Sequence, residues 1–295
     1  MRTNKAGYIL KFVRVFMYKI LLFKIGLNFL VSMMNIIVAT SRGRGLSALE
    51  QRQDTVMSIT PGGETEDLVQ TAIKELEKLQ PADTPHRVYF VSGLPDVTTK
   101  LKRRFYLHGK LRKYQEVIFP ESPTEAHDRV MGLICQAEAD IRRHHAIPVF
   151  TTITPSSLIK WNLHRLHGQF TTHLNYRGQY HHMQDNLHKA VQELNRSIHI
   201  LNSSNGVVTP KLAQHIMYTR RGHWRYRYGK LVDGVHGTKK TNEAWTKIMT
   251  DVMDKNARVT SIPAPMVEEV DQPISDDSGD DSDESNDSDK RSWIY

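Results

Sequence analysis

The middle of the chain alternates short apolar runs with longer stretches in which apolar residues recur every three or four positions. The short runs predict strands at Ile36–Ala39, Val56–Ile59, Val88–Val91, Val117–Phe119 and Pro148–Ile153, with a further one at Ile198–Leu201. The periodic stretches predict helices at Glu66–Leu79, Pro123–His144, Gln179–Ile198, Pro210–Tyr218 and Thr241–Asp254. Such alternation is typical of a mainly parallel sheet with helices on both faces. We therefore expect a flavodoxin-like, three-layer α/β/α sandwich over residues 34–258.

Composition places the chain among ordinary globular proteins. Hydrophobic residues make up 39% and charged residues 24% of its 295 positions, which excludes a collagen-like or wholly disordered polypeptide. The single cysteine, Cys135, excludes an intramolecular disulfide framework and a multi-cysteine metal site. The fold must therefore be stabilised by its apolar core.

Charge divides the chain into three regions. Residues 1–33 hold six basic residues and no acid, while residues 268–289 hold eleven acids and no base. The acid-rich stretch interleaves serine with aspartate and glutamate, so it has too little apolar surface to offset the entropy of ordering. We expect residues 259–295 to form an acidic, disordered tail. The body between the two ends remains basic.

The first 33 residues form a basic, hydrophobic extension with two open interpretations. Residues 25–41 are free of charge, and this length lies at the lower limit of about 17–25 residues for a membrane-spanning helix. A span over residues 16–34 would include two lysines. In the first interpretation this segment anchors an intracellular protein to a membrane. In the second it is an appendage, or the natural chain starts at Met33 or Met34.

Polar and glycine residues follow three of the predicted strands, where a parallel sheet places its active crevice. Ser41 comes after the first strand, Pro61-Gly62-Gly63 after the second and Gly93-Leu94-Pro95-Asp96 after the third. Near the end of the domain Asp233 precedes His236 by three residues, a spacing that allows a carboxylate to orient an imidazole. A hydroxyl, a close backbone amide and an oriented histidine together suit nucleophilic catalysis.

Taken in this order, the four segments resemble the motif blocks of the SGNH (GDSL-like) hydrolase superfamily, over residues from about Ile36 to Asp254. The last block is intact as Asp233-Gly234-Val235-His236, and Gly63-Glu64-Thr65 is similar to the second block. The resemblance implies a serine esterase or acyl hydrolase with a Ser-His-Asp triad and no cofactor. The implied substrate is a small ester or acylated molecule, such as an acetylated sugar or lipid.

Carried over by position, the resemblance assigns roles to individual residues. Ser41 becomes the nucleophile, His236 the general base and then acid, and Asp233 the carboxylate that orients the histidine. The backbone amides of Ser41 and Gly63 become donors to the oxyanion.

Two blocks depart from the family's pattern. The first reads Ala39-Thr40-Ser41 where the family has Gly-Asp-Ser. In the third block, Pro95 takes the position of the family's oxyanion-binding asparagine, and Asp96 takes the position after it. Proline has neither a side-chain amide nor a backbone N–H. A catalytically inactive binding module of the same fold is therefore the alternative to a hydrolase.

Basic residues near the predicted site indicate an anionic ligand. Arg42 and Arg44 adjoin Ser41, and Arg225 and Arg227 belong to a run of arginines and aromatic residues just before Asp233. We expect these four arginines to line the substrate mouth. The same mixture suits single-stranded nucleic acid, which is the ligand expected of the inactive alternative. Further residues that add positive charge are Lys100, Lys102, Arg103 and Arg104.

The fifteen histidines of the chain predict no metal site. Adjacent pairs such as His144-His145 and His181-His182 point to different sides, and no aspartate or glutamate completes a known ligand spacing. Neither a metal nor another cofactor is therefore expected, and the sequence leaves the oligomeric state open.

Overall fold

The structure of the protein is a computed structural model, and it describes residues 33–79, 84–92, 94–107, 110–165, 177–221 and 223–259. The predicted basic extension (1–33) and acidic tail (259–295) therefore lie outside the described residues, apart from Met33 and Val259. In the described ranges, none of the helices is both long enough and apolar enough to cross a bilayer.

Strands and helices alternate along most of the chain. The strands are β1 (Asn35–Ala39), β2 (Thr55–Ile59), β3 (His86–Val91), β4 (Thr99–Leu107), β5 (Lys110–Ile118), β6 (Ala146–Phe150), β7 (Met217–Arg220) and β8 (His223–Tyr226). The helices are α1 (Thr65–Leu76), α2 (Leu94–Val97), α3 (Pro123–Arg143), α4 (Leu158–Arg165), α5 (Arg177–Ser204) and α6 (Lys239–Asn256). Segments of 3₁₀ helix cover Ser41–Gln51, Leu212–His215 and Tyr228–Lys230.

One parallel sheet joins the strands β2, β1, β3 and β6, in that order. Ile36 of β1, for example, lies opposite Val56 of β2 on one side and opposite Val88 of β3 on the other. Every residue of β1, β3 and β6 is buried, as expected for a parallel sheet that is covered on both faces. The predicted α/β fold with a mainly parallel sheet is confirmed.

Helices cover both faces because successive side chains of a strand point to opposite sides. On one face, Ile36 and Val38 belong to a core that α1, α3 and α5 complete. On the other face, Ile37 and Ala39 pack with the first 3₁₀ segment and with Trp245 of α6. The result is a sandwich of three layers.

Capping residues fix where several of these helices begin. The hydroxyl of Ser122 accepts a hydrogen bond from the Glu125 N–H at 3.3 Å, and the Glu125 carboxylate accepts one from the Ser122 N–H at 3.0 Å. Pro123 occupies the first position of α3, where its missing N–H costs nothing. Thr238 caps α6 by accepting from the Thr241 N–H at 3.3 Å.

One predicted strand belongs to a different sheet, and two predictions of element type are wrong. Val117–Phe119 does not join the parallel sheet, because it ends an antiparallel hairpin of β4 and β5 in which Lys102 lies opposite Gln115. Ile198–Leu201 lies within α5. The predicted helix Pro210–Tyr218 contains only a 3₁₀ segment, Leu212–His215, and its last two residues begin the β7–β8 hairpin. The physical reason is that a short apolar run has the same pattern in a central strand, a hairpin strand or one turn of a buried helix.

The strand order determines where the site lies. The chain leaves β1 for β2 on one side and returns to β3 on the other, so the winding direction reverses between β1 and β3. In such sheets a ligand crevice forms at the carboxyl ends of the strands, at this switch point. Ser41 is separated from the end of β1 by Thr40 alone, and the segment from Ser92 to Asp96 follows β3.

Candidate active site

Three side chains that are far apart in sequence meet at the carboxyl edge of the sheet. The Oγ of Ser41 lies 2.9 Å from Nε2 of His236, and Nδ1 of His236 lies 2.6 Å from Oδ2 of Asp233. Both distances are those of hydrogen bonds. The imidazole thus lies between a hydroxyl and a carboxylate, where it can accept the proton of the hydroxyl.

The loop that carries Asp233 is held in a tight turn. The Val232 N–H donates to the carbonyl oxygen of His236 at 2.7 Å. The Oδ1 of Asp233 accepts from the N–H groups of Val235 and His236, at 2.9 and 2.8 Å. Gly234 has a φ of 93°, in the left-handed region that glycine adopts without strain. These bonds fix the carboxylate and the imidazole relative to each other.

The Asp233 carboxyl is kept ionised by its hydrogen bonds. Burial raises its pKa, but the hydrogen bonds from the His236 ring and from the N–H groups of His236 and Val235 lower it by more, so the pKa lies well below its usual range. We assign the Nδ1 proton of His236 to the side of this negative charge, which leaves the lone pair of Nε2 toward Ser41. The His236 side chain is 40% exposed, so the imidazole remains open to the cavity.

Ser41 is the first residue of the 3₁₀ segment that follows β1. The preceding Thr40 makes no side-chain cap, and the Gly43 N–H donates to the Thr40 carbonyl oxygen at 2.9 Å. The Ser41 N–H has no acceptor among the residues that the structure describes. Free N–H groups at the start of a helix are donors to anions. The backbone therefore offers a donor next to the hydroxyl.

Arg42 is buried beneath the site instead of extending at its mouth. The residue is 7% exposed, its Nη1 donates to the Thr154 carbonyl oxygen at 2.9 Å, and the guanidinium also contacts the hydroxyls of Thr154 and Ser156. Burial lowers the pKa of Arg42 to about 9, although the charge of Asp233 raises it. Arg42 borders the cavity, but its hydrogen bonds hold the loop after β6. The prediction for this residue is corrected accordingly.

The loop after β2 is a tight turn that uses the Gly63 amide. The Gly63 N–H donates to the Thr60 carbonyl oxygen at 3.0 Å, and Gly62 in between has a φ of 74°. The prediction of Gly63 as an oxyanion donor is therefore wrong, because its N–H already closes the turn. Gly62 borders the cavity instead, and its N–H donates to no described residue.

Asp96 links the second and third predicted blocks. It is buried, and its Oδ1 accepts from the N–H of Thr65, the first residue of α1, at 2.8 Å. Its Oδ2 accepts from the hydroxyls of Thr65 and Ser92, at 3.0 and 3.3 Å. A carboxylate at this helix end also suits the helix dipole. Pro95, next to it, borders the cavity.

A cavity of about 340 Å³ opens in front of Ser41 and His236. This volume is at the lower end of those of small-molecule sites, which are about 300–1,000 Å³. Besides the loops already described, it is lined by Lys100 of β4 and by Trp161 and His164 of α4. In the described ranges, histidine, cysteine, aspartate and glutamate nowhere form a group of three or more that would hold a metal ion.

Local sequence gives no reason to place Trp161 and His164 at the site. They reach it because α4 packs against the end of β5. Within that contact, Asn162 accepts from the Val117 N–H and donates to the Val117 carbonyl oxygen, both at 2.8 Å. Only this tertiary pairing brings the hairpin and α4 to the cavity.

The remaining predicted mouth residues divide into two groups. Arg44 is exposed and lines the cavity. Arg225 and Arg227 are exposed but do not line it, and the Arg227 guanidinium lies over the Tyr218 ring, 4.8 Å from its centre. They are placed elsewhere because their segment pairs with β7 as a separate hairpin. The prediction of mouth residues is thus corrected for these two arginines.

Comparisons with known proteins find likeness only among solved structures. No protein-family model matches the chain, and no curated protein matches it. A structure described as an acylhydrolase from Bacteroides fragilis is 12% identical, covering 76% of this chain and 88% of that one, with a TM-score of 0.48. A GDSL-like lipase from Bacteroides thetaiotaomicron is 13% identical, covering 76% and 87%, with a TM-score of 0.46.

The parallel sheet has the expected architecture, and the serine, glycine and third-block loops follow β1, β2 and β3 in the expected order. The Asp-x-x-His loop meets the serine loop at the same edge.

Proposed function

We propose that the protein hydrolyses carboxylic esters as an SGNH-type serine hydrolase. The observation that carries the proposal is the chain of hydrogen bonds from Ser41 through His236 to Asp233, with 2.9 and 2.6 Å between the bonded atoms. It lies at a cavity on the carboxyl edge of a parallel sheet, where a small ester has room to bind. The motif resemblance supports the same class of reaction.

In the acylation step, Ser41 Oγ attacks the carbonyl carbon of the ester while its proton passes to Nε2 of His236. The carbonyl π electrons move to the oxygen, which becomes an oxyanion. When the tetrahedral intermediate collapses, the bond to the alcohol oxygen breaks, and that oxygen takes the proton from Nε2. The alcohol leaves, and the acyl group stays on Ser41. Asp233 stabilises the imidazolium that exists between the two transfers.

In the deacylation step, water replaces the alcohol. Nε2 of His236 takes a proton from the water, whose oxygen attacks the acyl carbon. Collapse of the second tetrahedral intermediate breaks the bond to Ser41 Oγ, and the proton on Nε2 returns to that oxygen. A carboxylic acid is released, and the free serine is restored.

The oxyanion needs donors, and we assign them to the backbone. The N–H groups of Ser41 and Gly62 have no described acceptor and both residues border the cavity. A Cβ built on Gly62 would lie 3.3 Å from Nζ of Lys100, so this ammonium group reaches the Gly62 backbone. We include Lys100 as a charged donor that offsets the loss of an amide at Pro95.

A second candidate is a binding module of the same fold without catalysis, with nucleic acid as its ligand. Pro95 is the observation that favours it, because removing one oxyanion donor costs on the order of 10²–10³ in rate. The two candidates differ in whether Ser41 is an activated nucleophile.

A fluorophosphonate probe tests that difference on the full chain, with the adduct located by mass spectrometry. The expected result is a single label on Ser41 that is lost in Ser41→Ala and in His236→Ala. Ser47→Ala, at an exposed serine of the same 3₁₀ segment, is the matched control and should label normally. A folded wild-type protein that takes no label would reject the hydrolase and favour the binding module.

A further inference from the structure

A buried loop lies between the two halves of the candidate site. Residues 151–157, which follow β6, are all buried, and we call them the bridging loop. The Ser157 N–H donates to the carbonyl oxygen of Gly234 at 2.9 Å. Gly234 stands between Asp233 and His236 in the chain. The bridging loop therefore contacts the turn that holds the carboxylate and the imidazole.

Arg42 connects the bridging loop to the serine. It is the residue after Ser41, and its Nη1 donates to the Thr154 carbonyl oxygen at 2.9 Å. The same guanidinium also contacts the hydroxyls of Thr154 and Ser156. A planar guanidinium presents its donors as a fork, so it can bond two residues of one loop at once. A bonded path thus runs from Ser41 to Gly234 by way of the bridging loop.

The bridging loop is itself held by α5. Asn195 accepts from the Ile153 N–H at 2.6 Å and donates to the Ile153 carbonyl oxygen at 2.9 Å. Gln184 donates to the carbonyl oxygen of Ser156 at 2.7 Å. Buried polar groups that are satisfied in this way make a segment rigid. The loop therefore gives Arg42 a fixed support.

The burial of Arg42 is costly, which indicates that the site uses its guanidinium. None of the described carboxylates forms an ion pair with this buried residue. Its Nε is buried and has no hydrogen-bond partner among the described residues. Burying a charge removes its hydration, and an apolar side chain of similar volume would avoid that cost. Such a side chain could not supply the bonds to Thr154 and Ser156.

We propose that Arg42 is a positioning residue that sets the distance between the Ser41 hydroxyl and the His236 imidazole. It does so by bonding the serine segment to the bridging loop, which contacts the Asp233–His236 turn. This role rests on the proposed function for the chemistry that the distance serves. The carboxylate and the imidazole are fixed by bonds within their own turn. Loss of Arg42 should therefore leave that pair intact and shift it relative to Ser41.

Arg42→Met tests the proposal in the full-length protein, with Arg87→Met as the matched control. Arg87 is also buried, but it lies in β3 at the opposite, amino-terminal edge of the sheet, where it donates to the Val259 carbonyl oxygen. Both changes remove a buried guanidinium and should lower the melting temperature. At a temperature where all three proteins are folded, fluorophosphonate labelling of Ser41 should slow by at least about tenfold in Arg42→Met alone, because misplacing a reacting pair is costly. With p-nitrophenyl acetate, the loss should appear in kcat, with KM changed by less than about twofold.

Two further measurements separate the position of the serine from charge and from the carboxylate. Arg42→Lys keeps the positive charge but has a single donor group in place of the fork. It should label at a rate closer to that of Arg42→Met than to that of the wild type. Nδ1 of His236 and Oδ2 of Asp233 are 2.6 Å apart, and the proton between them should give a downfield NMR signal. This signal should persist in Arg42→Met.

Several outcomes would overturn the proposal. One is labelling of Arg42→Met at the wild-type rate, and another is equal slowing in Arg87→Met. Labelling of Arg42→Lys at the wild-type rate would assign the effect to charge instead. Loss of the downfield signal in Arg42→Met would show that Arg42 holds the Asp233–His236 pair itself.

Failure of the proposed function is separate, because it appears as absence of label on Ser41 in the folded wild-type protein. Crystal structures of the two methionine variants then decide the positioning role. A separation of more than about 3.5 Å between Ser41 Oγ and His236 Nε2 in Arg42→Met alone supports it. Retention of the 2.9 Å distance in both variants rejects it.

Discussion

The backbone N–H of Ser157 donates to the carbonyl oxygen of Gly234 at 2.9 Å, which ties the loop after β6 to the loop that carries Asp233 and His236. Gly234 has a φ of 93°, and a Cβ built there would lie 2.7 Å from the Ser157 carbonyl oxygen. It would also lie 2.8 Å from the Trp161 nitrogen. No other residue fits without moving backbone. The alignment of carboxylate and imidazole therefore depends on the glycine between them.

Gly234→Ala should consequently impair both stability and the site. We expect the free energy of unfolding to fall by about 1–3 kcal/mol, because a non-glycine residue is strained at this φ and meets backbone atoms. Labelling of Ser41 by the fluorophosphonate probe should slow by at least about tenfold, since a displacement of the Asp233–His236 loop misaligns the base.

Gly132→Ala is the matched control for this change. Gly132 lies within α3, and a Cβ there meets nothing within 4 Å. Alanine should be neutral or stabilising by about 1 kcal/mol, with normal labelling. If Gly234→Ala labels as fast as this control, the loop does not depend on glycine.

Arg42, next to Ser41, should contribute to stability through its buried hydrogen bonds. The exposed Arg44 at the cavity should not. Arg42→Met removes the donors to the Thr154 carbonyl and to the hydroxyls of Thr154 and Ser156. We expect a loss of about 1–3 kcal/mol in the free energy of unfolding, because buried acceptors lose their partner. Arg44→Met, at an exposed position, should change it by no more than about 0.5 kcal/mol. Denaturant unfolding of both variants measures the difference, and equal stabilities would contradict the assignment.

The parallel sheet and the pairing of Ser41 with the Asp233–His236 loop were accessible from sequence for a physical reason. Strand runs that are buried on both faces have few polar positions, so β1 and β3 stand out against their neighbours. Residues at the carboxyl ends of parallel strands converge whatever their separation along the chain. A serine at the end of a strand and an Asp-x-x-His segment can therefore each be recognised in the local sequence, and the fold class predicts that they lie close together.

What the sequence did not predict depends on contacts between distant segments. The burial of Arg42 follows from Thr154 and Ser156, over a hundred positions away. The Gly63 N–H is used by a turn that begins at Thr60, and the sequence Gly63-Glu64-Thr65 does not specify that turn. The β4–β5 hairpin is rich in charged residues, so it lacks the alternation that marks a half-buried strand.

Asp233→Asn should separate the charge of this residue from its backbone contacts. The asparagine oxygen can still accept from the N–H groups of Val235 and His236, so the turn should persist. Its NH₂ group would face Nδ1 of His236, which favours the tautomer that carries the proton on Nε2. That nitrogen then cannot accept the Ser41 proton.

We therefore expect ester hydrolysis by Asp233→Asn to fall by on the order of 10³–10⁴-fold at neutral pH, with little change in thermal stability. Steady-state hydrolysis of p-nitrophenyl acetate, beside a melting curve, measures both. A loss of less than about tenfold would show that the carboxylate does not control the histidine.

Asp96 should be important for stability and dispensable for labelling. Asp96→Ala leaves the buried Thr65 N–H and hydroxyl without their acceptor, so we expect a loss of about 1–3 kcal/mol in the free energy of unfolding. Asp251→Ala, at an exposed position of α6, is the control for loss of a carboxylate. At a temperature where all three proteins are folded, the probe should label Ser41 in each. Selective loss of label from the Asp96 variant would give this residue a part in the chemistry.

The partly buried imidazole of His188 should lower the free energy of unfolding in mild acid, where the folded state resists its protonation. Its Nε2 lies 2.6 Å from Nε2 of Gln184 and contacts the Tyr228 hydroxyl, and its ring packs on Tyr226 with 4.1 Å between ring centres. Burial lowers the pKa of His188 to about 4, outweighing the nearby Asp185 charge, which raises it. In the unfolded chain the pKa of histidine is about 6.5.

Because the folded-state pKa is the lower one, the unfolded chain binds the proton first as the pH falls. The stability contribution of neutral His188 is therefore complete above about pH 6.5 and is lost on going down to about pH 4. The loss amounts to about 2–3 kcal/mol in the free energy of unfolding. Urea unfolding at pH 7.5 and pH 4.5 should show this difference in the wild type and a smaller one in His188→Gln. His181→Gln, at an exposed histidine of the same helix, should keep the wild-type difference. If His188→Gln loses as much stability in acid as the wild type, the acid sensitivity originates at other residues.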